Sequence, residues 1–302
     1  MSAAEVVVVG SANRDEIAAL PAIPAPGETV LATGREQRSG GKGLNQAVAA
    51  ARAGARTLLV AAVGDDQAGR LLVEDAAAAG VGTDLVRHLS GPSGTAWIMV
   101  RDDGENAIVV DGGANRSLTD LSEADLAAIS AARVVVAQLE VPLSAVTQAA
   151  AAARDAGRTT VLNAAPAREL PPDLLRLVDV LVVNETEARQ LSGRTEPGEA
   201  ADLLLDLVGA VVVTLGADGA LVVDRHGRRS VSGVAAEVVD TTGAGDTFTG
   251  YLAATVAAGG DLDAAAARAV VAGALAVETA GAVPSIPTAE QVEHRLSQRG
   301  AR

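Results

Sequence analysis

The sequence predicts one α/β domain in which helices cover a mainly parallel sheet. Short runs rich in Val and Leu recur along the chain, and Ala-rich stretches of helical length lie between many of them. Strands buried on both faces form continuous apolar runs, and their alternation with helices is typical of a parallel sheet covered by helices. The chain has 302 residues, 49% of them hydrophobic, which is enough to bury a sizeable core.

The expected elements follow one another along the chain. We expect buried strands at 6–9, 57–63, 134–139, 159–162, 180–183, 210–215 and 220–223. We expect helices at 46–53, 68–79, 144–156 and 200–207. Three of these helices end near Gly54, Gly80 and Gly157, and glycine is common just after a helix. The aromatic side chains are Trp97, Phe248 and Tyr251, so small aliphatic side chains must fill the core.

Two segments, 28–39 and 94–111, break this alternation. In the second, 95–100 and 107–110 flank the turn-prone Asp102-Asp103-Gly104-Glu105-Asn106. Both segments are interpreted as antiparallel strands outside the main sheet. Such strands commonly form a lid or an oligomer contact, because an uncovered sheet edge must be hidden. We expect one domain over 1–302, with lid strands from about 12–40 and 94–111 above a cleft; a surface hairpin is the alternative.

Composition excludes several classes of protein. The chain carries 24 basic and 38 acidic side chains, a formal net charge of −14, which argues against a nucleic-acid partner. It contains no cysteine, which excludes a disulfide scaffold, a thiolate nucleophile and cysteine-ligated metal sites. The N-terminus lacks the basic region of a secretory signal, and the apolar runs are shorter than the roughly 18 residues that span a bilayer. We expect a soluble, cytoplasmic protein without a membrane partner.

A glycine loop opens an apolar helix at Asp240-Thr241-Thr242-Gly243-Ala244-Gly245-Asp246. Glycines let successive backbone N–H groups converge, and the first N–H groups of a helix have no partner within it, so the loop suits a phosphate. Asp246 would repel a phosphate unless it has a task. It is either a helix cap or a general base that orients an attacking hydroxyl and takes its proton.

A second glycine cluster, Gly40-Gly41-Lys42-Gly43-Leu44-Asn45-Gln46, also precedes a helix. Lys42 follows the first glycine too closely for a P-loop, and no Ser or Thr comes directly after it. Lys42 is the only lysine of the chain, so its place between glycines is not generic surface charge. Gly41, Lys42 and Asn45 are candidate donors to a hydroxylated ligand.

Polar residues also follow several expected strands, where open α/β sheets bind ligands. Asn13 and Asp15 come after the first strand and suit sugar hydroxyls, or they form an Asx turn. Asn184 and Glu187 are placed to reach a hydrated Mg²⁺, which borrows few protein ligands, or simply to cap a helix. The segment 214–219 suits the edge of a nucleotide or a tight hairpin.

Taken together and in this order, these segments resemble the ribokinase-like (PfkB) family of carbohydrate kinases over essentially the whole chain. The residues from Gly40 to Ala47 are similar to the family's first signature, and those from Asp240 to Phe248 are similar to its second. Shorter markers fall in order at 64–66, 104–106, 112–115, 138–140, 184–187 and 214–216. The resemblance implies a three-layer αβα fold with a central mainly parallel sheet and a small β-strand lid.

The resemblance also implies the reaction, which is transfer of the γ-phosphate of ATP, with Mg²⁺, to a primary hydroxyl of a sugar. Our leading hypothesis for the acceptor is O5 of D-ribose. The resemblance makes Asp246 the base and Gly243, Ala244 and Gly245 the anion hole. It assigns the sugar to Asn13, Asp15, Gly41, Lys42, Asn45, Glu140 and Asp246. It assigns the nucleotide to Asn184, Thr214, Gly216, Gly219 and Gly245, and it places Asn184 and Glu187 near Mg²⁺, directly or through water.

A monovalent cation, usually potassium, is expected from the resemblance as an activator. The matching positions are Asp240, Thr242, Ala276, Thr279, Gly281 and Ser285. Without the resemblance, structural glycine turns are the interpretation of the segment 281–285. Val270 stands where family members often place Asn or His beside the adenine, which leaves the nucleotide preference open. The resemblance also implies a homodimer in which the lid pairs with its copy.

Three other functions remain open at this point. One is a kinase of another sugar or of a nucleoside; base binding favours an aromatic surface, and Trp97 is the only lid aromatic. Another is a non-catalytic sugar-binding protein. Loss of Asp246 or of the glycines would have supported that function, and both are present. The last is a dinucleotide-binding dehydrogenase, which is disfavoured because 10–13 lacks the three-glycine fingerprint after the first strand.

Overall fold

Two sheets and their flanking helices make up the fold in the computed structural model, which describes residues 3–101 and 105–300. The strands are β1 (Val6–Val9), β2 (Asn13–Leu20), β3 (Gly34–Gly40), β4 (Thr57–Gly64), β5 (Val86–Leu89), β6 (Gly94–Arg101), β7 (Asn106–Asp111), β8 (Val134–Ala137), β9 (Thr159–Asn163), β10 (Val180–Asn184), β11 (Ala210–Thr214), β12 (Gly219–Asp224) and β13 (Gly227–Ser232). Residues 102–104 of the expected lid turn lie outside the described residues.

The helices lie mostly between successive strands, as the alternating pattern predicts. They are α1 (Lys42–Arg52), α2 (Gln67–Ala78), α3 (Glu123–Ala131), α4 (Leu143–Asp155), α5 (Pro172–Leu175), α6 (Glu185–Ser192), α7 (Pro197–Leu205), α8 (Ala244–Ala257), α9 (Leu262–Ala276), α10 (Ala282–Ser285) and α11 (Ala289–Gly300). The helix expected at 46–53 already begins at Lys42, directly after Gly41. None of the helices within the described residues is long and apolar enough to cross a bilayer.

The larger sheet has the strand order β13-β12-β11-β10-β9-β8-β1-β4-β5. Neighbouring strands run parallel from β11 to β5, and only β12 and β13 are antiparallel to their neighbours. The mainly parallel sheet is therefore confirmed. The apolar-run criterion did not find β5 and β13, because these two edge strands carry charged residues such as Arg87 and Arg228.

The smaller sheet has the order β3-β2-β6-β7 and forms the lid. The expectation that all lid strands are antiparallel was wrong at one place, because β2 and β6 pair in parallel, from Asn13 with Gly94 to Leu20 with Arg101. The other neighbours are antiparallel. The strand expected at 28–39 begins only at Gly34. Asn13 and Asp15, expected after the first strand, belong to β2, so the lid sheet itself carries them.

Helices cover both faces of the larger sheet, so a core lies on each side of it. Alternate residues of β1 point to opposite cores: Val6 and Val8 pack with α1, α2, α8, α9 and α11, and Val7 and Val9 pack with α3 to α7. Small side chains fill both cores, as expected. Gly250 lets α1 and α8 approach closely, since a Cβ at this position would lie 2.6 Å from the carbonyl oxygen of Gln46.

Candidate active site

The glycine loop before α8 brings backbone donors to the edge of the larger sheet. Gly243 has a φ of +77° and directly precedes α8, and no side chain caps the helix there. A Cβ at Gly243 would lie 2.9 Å from the Cα of Ala282, so the loop and the start of α10 approach too closely for a larger residue. The N–H groups of Ala244, Gly245 and Asp246 lie in the first turn and have no acceptor within the helix. The helix dipole adds positive potential at this end.

Asp246 is a buried residue of the first turn of α8, and its carboxylate is held by α1. Asn45 donates through Nδ2 to Oδ2 at 2.9 Å, and Gln46 donates through Nε2 to Oδ1 at 2.8 Å. The helix-cap alternative is therefore wrong, because the carboxylate bonds side chains of another helix. The arrangement presents a fixed, buried carboxylate beside the N-terminus of a helix.

A polar cavity of about 210 Å³ lies in front of Asp246. Its walls carry Lys42, Asn163, Asn184, Glu187, Thr214, Gly243, Gly245 and Asp246. The charge of Asp246 raises the pKa of Lys42; burial opposes this effect, and Glu140 and Glu187 add to it. The ammonium group therefore stays charged and gives the polar cavity a positive group that can attract an anion, although the chain as a whole is acidic.

Asn184 and Glu187 cap α6 and also face this polar cavity. Asn184 Oδ1 accepts from the Glu187 N–H at 2.8 Å, and Glu187 Oε2 accepts from the Asn184 N–H at 2.9 Å. The helix-cap interpretation is thus confirmed, and it does not use up the second carboxylate oxygen of Glu187. Burial raises the pKa of Glu187, against the effects of the Asn184 N–H and of Lys42. Carboxylate and amide oxygens with room for water are ligands that suit Mg²⁺.

Two further acidic residues, Asp15 and Glu140, lie where the lid sheet meets α1. Glu140 Oε2 accepts from Ser11 Oγ at 2.5 Å, from the Lys42 N–H at 3.1 Å and from Asn13 Nδ2 at 3.4 Å. Burial and the charge of Glu140 raise the pKa of Asp15 to about 7. Gly41 has a φ of +90°, and a Cβ there would lie 2.7 Å from the Asn13 nitrogen. Glycine at this position therefore lets β2 approach the start of α1.

A lid cleft of about 540 Å³ opens between the lid sheet and the loop before α8. It is lined on the lid side by Asp15, Ile17, Arg38, Ile98 and Val100, and on the opposite side by Val239, Asp240, Thr241, Thr242 and Gly281. Its volume suits a small polar ligand in a pocket with some apolar lining. Trp97 is 45% exposed and does not line the cleft, since neighbouring Ile98 points the other way along β6.

An apolar cavity of about 390 Å³ lies on the other side of the loop. Its lining includes Thr214, Gly216, Gly219, Thr241, Gly245, Phe248, Val270 and Val277. Thr241 lines this cavity, the polar cavity and the lid cleft alike. The three spaces therefore adjoin one another along the N-terminus of α8. The segment 214–219 joins an antiparallel pair, β11 and β12, as the hairpin interpretation predicts, and its residues Thr214, Gly216 and Gly219 also line the apolar cavity.

The segment after α9 is joined to Asp240. Asp240 Oδ1 accepts from the Thr242 N–H at 2.9 Å, and Oδ2 accepts from the Gly281 N–H at 2.8 Å. Burial opposes ionisation of Asp240, but the hydrogen bonds of Thr242 and Gly281 and the charge of Arg38 hold its pKa below the usual value. The backbone N–H of Thr279 donates to the Ala276 carbonyl at 3.3 Å. The hydroxyl group of buried Ser285 donates to the Ala282 carbonyl at 2.8 Å.

The segments that meet here carry the Asp240 carboxylate, the hydroxyl groups of Thr242, Thr279 and Ser285, and backbone carbonyls. Hard cations bind oxygen ligands of this kind, so the residue types fit a monovalent cation. The described residues hold no group of three or more His, Cys, Asp or Glu side chains that could bind a metal ion. Any bound cation would therefore depend on one or two carboxylates together with backbone oxygens or water.

Several residues of the site had no role in the sequence interpretation. Gln46 and Asn163 contact each other beside Asp246, and Asn115 donates to Asn13 Oδ1 at 2.7 Å. Arg38 lines the lid cleft, and Phe248 lines the apolar cavity. Gln46 and Phe248 lie within the two glycine-rich segments, 40–47 and 240–248, so their neighbours in sequence could have indicated that they belong to the site. Nothing in the local pattern around Asn163 indicates that it lies near Asp246.

Known proteins resemble this chain over nearly its full length. A ribokinase of Haemophilus influenzae is 37% identical over 295 residues, which cover 94% of this chain and 95% of that protein. A bifunctional ribokinase/ribose-5-phosphate isomerase A of Fructilactobacillus sanfranciscensis is 36% identical over 309 residues; the match covers 97% of this chain but 56% of the bifunctional protein.

Solved structures and the family model agree with these relatives. The structure of Arabidopsis thaliana ribokinase complexed with ribose and ATP matches with a TM-score of 0.92 and 35% identity, covering 97% of this chain and 99% of that one. Such similarity makes the protein a phosphotransferase that acts on an alcohol group. The model of the pfkB family carbohydrate kinases matches residues 3–289, and this chain therefore belongs to that family.

Proposed function

We propose that this protein is a ribokinase, which transfers the γ-phosphate of ATP to O5 of D-ribose and releases ribose 5-phosphate and ADP. The observation that carries the proposal is the position of Asp246. Its buried carboxylate lies at the N-terminus of α8, faces the polar cavity and is held by Asn45 and Gln46. The similarity to ribokinases over nearly the whole chain supports the same reaction.

In the proposed reaction Asp246 is the general base. Its carboxylate takes the proton of the O5 hydroxyl as O5 forms a bond to the γ-phosphorus. The bond between that phosphorus and the β,γ-bridging oxygen breaks, and ADP leaves with the electron pair. The N–H groups of the turn Gly243, Ala244 and Gly245, together with the Lys42 ammonium, stabilise the charge on the transferring oxygens. One such donor contributes about 3 to 4 kcal/mol in comparable oxyanion sites.

The sugar is proposed to bind where the lid sheet meets α1, against Asn13, Asp15, Gly41, Lys42, Asn45 and Glu140. One unused acceptor supports this placement. Asn45 Oδ1 is buried and has no hydrogen-bond partner among the described residues, while Asn45 Nδ2 is engaged by Asp246. A sugar hydroxyl that donates to Oδ1 would remove the cost of this unpaired buried atom.

The nucleotide is proposed to occupy the apolar and polar cavities, with the adenine against Gly216, Gly219, Phe248 and Val270 and the phosphates near Asn184, Thr214 and Gly245. The chain has a net charge of −14, so its overall field does not attract ATP. Lys42, the helix N-terminus and bound cations would supply local positive potential. Val270 offers no hydrogen bond to a base, so we propose that the adenine is held mainly by apolar contact.

Two cations are part of the proposal. Asn184 and Glu187 would hold Mg²⁺ directly or through water, and Asp240, Thr242, Ala276, Thr279, Gly281 and Ser285 would surround potassium. When bound, these ions would neutralise phosphate charge and stabilise the loop that carries the anion hole. The chain's own residues orient the sugar, hold the proton acceptor and bind the transferring group.

We also propose a homodimer through the lid and a cytoplasmic location. The edge strand β7 supports the dimer, because Ile108, Val109 and Val110 are each at least half exposed. The location rests on the cysteine-free composition, which is typical of proteins outside oxidising compartments.

The first experiment measures ADP release with ATP, Mg²⁺ and K⁺, comparing D-ribose with 2-deoxyribose, fructose and adenosine. We expect a clear preference for ribose. Trp97 lies outside the lid cleft, so the cleft lacks the flat aromatic surface that a nucleoside would use, and adenosine should be a poor acceptor. Preference for another acceptor would overturn the ribose assignment, and no activity with any of the four would favour an untested acceptor or a non-catalytic sugar-binding protein.

A further inference from the structure

A chain of buried side-chain amides ends on the carboxylate of Asp246. Gln138 Nε2 donates to Gln46 Oε1 at 2.7 Å, and Gln46 Nε2 donates to Asp246 Oδ1 at 2.8 Å. The same Gln46 Nε2 also donates to Asn163 Oδ1 at 3.0 Å. Gln46 and Gln138 are fully buried, and Asn163 is 7% exposed. Gln46 belongs to α1, Asn163 ends β9 and Gln138 directly follows β8. The reaction proposed above uses Gln46 only to hold Asp246, and it gives Gln138 and Asn163 no role.

The orientation of every amide in this chain is determined by one backbone carbonyl. The Val182 carbonyl in β10 can only accept, so Asn163 must present Nδ2 to it, which it does at 3.2 Å. Asn163 Oδ1 then faces Gln46, and Gln46 must present its NH₂ group to that side. With Gln46 turned over, its oxygen would face two further acceptors, Asn163 Oδ1 and Asp246 Oδ1, and both of these buried oxygens would lose the donor that they now share.

We propose that Gln46 is a positioning residue for phosphoryl transfer. Its Nε2–H, oriented through Asn163 by the Val182 carbonyl, holds Asp246 Oδ1 and thereby sets the plane of the carboxylate that faces the sugar hydroxyl. The inference deepens the proposed function and rests on it, since it concerns the base of that reaction. Misplacement of a reacting group by about 1 Å can cost roughly 100-fold in rate. Gln46 is separated from the sugar by Asp246, so its loss should act on kcat and not on sugar binding.

The main test replaces Gln46 with an apolar side chain of similar length, Gln46→Met. We expect kcat for ribose to fall by about 10- to 100-fold, as for a misplaced catalytic group. The KM for ribose and the Kd for ribose by calorimetry should stay within about two-fold, because Gln46 binds no sugar hydroxyl in this proposal. An unchanged kcat, or a loss that falls mainly on KM and Kd, would overturn the proposal.

A double-variant cycle separates positioning from general damage to the core. If Asn163 acts on the reaction only by orienting Gln46, then Asn163→Leu lowers kcat in the wild-type background and has no further effect in the Gln46→Met background. Additive losses in the double variant would show that the two residues act independently, and this would overturn the relay. Gln46→Glu provides a second variant that keeps the side-chain shape but loses the donor when ionised; it should also lose kcat, and a wild-type kcat would contradict the proposal.

Gln148→Met is the matched control. Gln148 Oε1 accepts from the Leu121 N–H at 3.1 Å and its Nε2 donates to the Thr119 carbonyl at 3.0 Å, on α4 and away from Asp246. Gln148→Met therefore also removes a side-chain amide that accepts one hydrogen bond and donates another, and kcat should not change. Failure of the proposed function would appear differently, as a wild-type enzyme that does not phosphorylate ribose. A wild type active with ribose whose Gln46→Met variant is equally active would contradict only the role of Gln46.

Discussion

Asp246 is the residue whose negative charge the proton transfer of the proposed reaction requires. Asp246→Asn keeps the size of the side chain but removes the proton acceptor, and it places an amide against the donors of Asn45 and Gln46. We expect kcat to fall by roughly 10²- to 10⁴-fold, the usual contribution of a general base. Ribose binding measured by calorimetry should survive. A variant with nearly full turnover would remove Asp246 from the role of base.

Asp15 gives the site a dependence on pH. Burial and the charges of Glu140 and Asp246 raise its pKa to about 7, against the lowering effects of Arg14 and Arg38. The folded chain therefore binds a proton at Asp15 more tightly than the unfolded chain, and it loses stability as the pH rises from the unfolded value toward 7. Asp15→Asn removes this loss, so the variant should melt at a higher temperature than wild type at pH 8, with no such gain near pH 4.

The same substitution should weaken sugar binding, because an amide accepts fewer hydrogen bonds from hydroxyls than a carboxylate does. Thermal melts at the two pH values and a ribose titration at pH 8 measure both effects. Glu16→Gln is the control, since Glu16 lies next to Asp15 in β2 but pairs with Arg35 on the other face of the lid sheet. A gain in melting temperature that is equal at both pH values would contradict the role of Asp15 charge, and an unchanged affinity for ribose would contradict its placement at the sugar.

The contact between α1 and α8 connects the two glycine-rich segments. A Cβ at Gly250 would lie 2.6 Å from the Gln46 carbonyl and 2.8 Å from the Ala50 nitrogen. Gly250→Ala must therefore push apart the helices that carry Asn45, Gln46 and Asp246. We expect a loss of about 1 to 3 kcal/mol in the free energy of unfolding, as for overpacked cores, together with a lower kcat. Urea unfolding and ADP release measure the two effects.

Gly34→Ala is the comparison for this helix contact. A Cβ at Gly34 would lie 3.6 Å from the Ala19 side chain, which is an ordinary contact on an exposed lid strand. Its stability should change by less than about 0.5 kcal/mol, the usual range of surface substitutions. Equal effects of the two substitutions would mean that close packing of α1 on α8 does not position the site.

The hydrogen bond between the Gly281 N–H and the Asp240 carboxylate brings together two segments of the proposed potassium site, which predicts a response to monovalent cations. If potassium binds there, it binds only the folded chain, so adding K⁺ should raise the melting temperature and the rate of ADP release. Na⁺ should do less, because backbone oxygens spaced for a larger ion do not close around a smaller one. Asp240→Asn should abolish the K⁺-dependent rise in melting temperature. Indifference of both measurements to K⁺ would favour purely structural turns.

The assembly of the whole molecule should depend on the lid. The edge strand β7 exposes apolar Ile108, Val109 and Val110, and half-exposed Trp97 lies directly opposite Val109. Unprotected apolar edges are sites where chains associate. We expect the protein to be a dimer by light scattering and Val109→Lys to be a monomer with a raised KM for ribose. Thr119→Lys, at an exposed position outside the lid strands, is the control. A wild-type monomer at micromolar concentration would contradict the dimer.

Much of the architecture was accessible from short stretches of sequence. The Val-rich runs of β1, β8 and β10 and the Ala-rich helices α2 and α4 were found close to their observed bounds, because burial on both faces of a sheet leaves a local apolar signal. Edge strands β5 and β13 and the parallel pairing of β2 with β6 were not found. Edge strands mix charged and apolar residues, and the direction of pairing between distant strands leaves no mark within either strand.

The candidate site divides in the same way. The glycine loops, Asp246, Lys42 and the Asn184–Glu187 pair were identified from sequence alone, because a turn and the helix that follows it are specified by neighbouring residues. Only the tertiary structure decided which of these groups form hydrogen bonds with one another. Gln46 and Asp246 are 200 positions apart, yet they share a hydrogen bond because Gly250 lets α1 pack against α8. A local pattern records how a segment folds, whereas the partner of a buried polar atom depends on which distant segment the packing brings beside it.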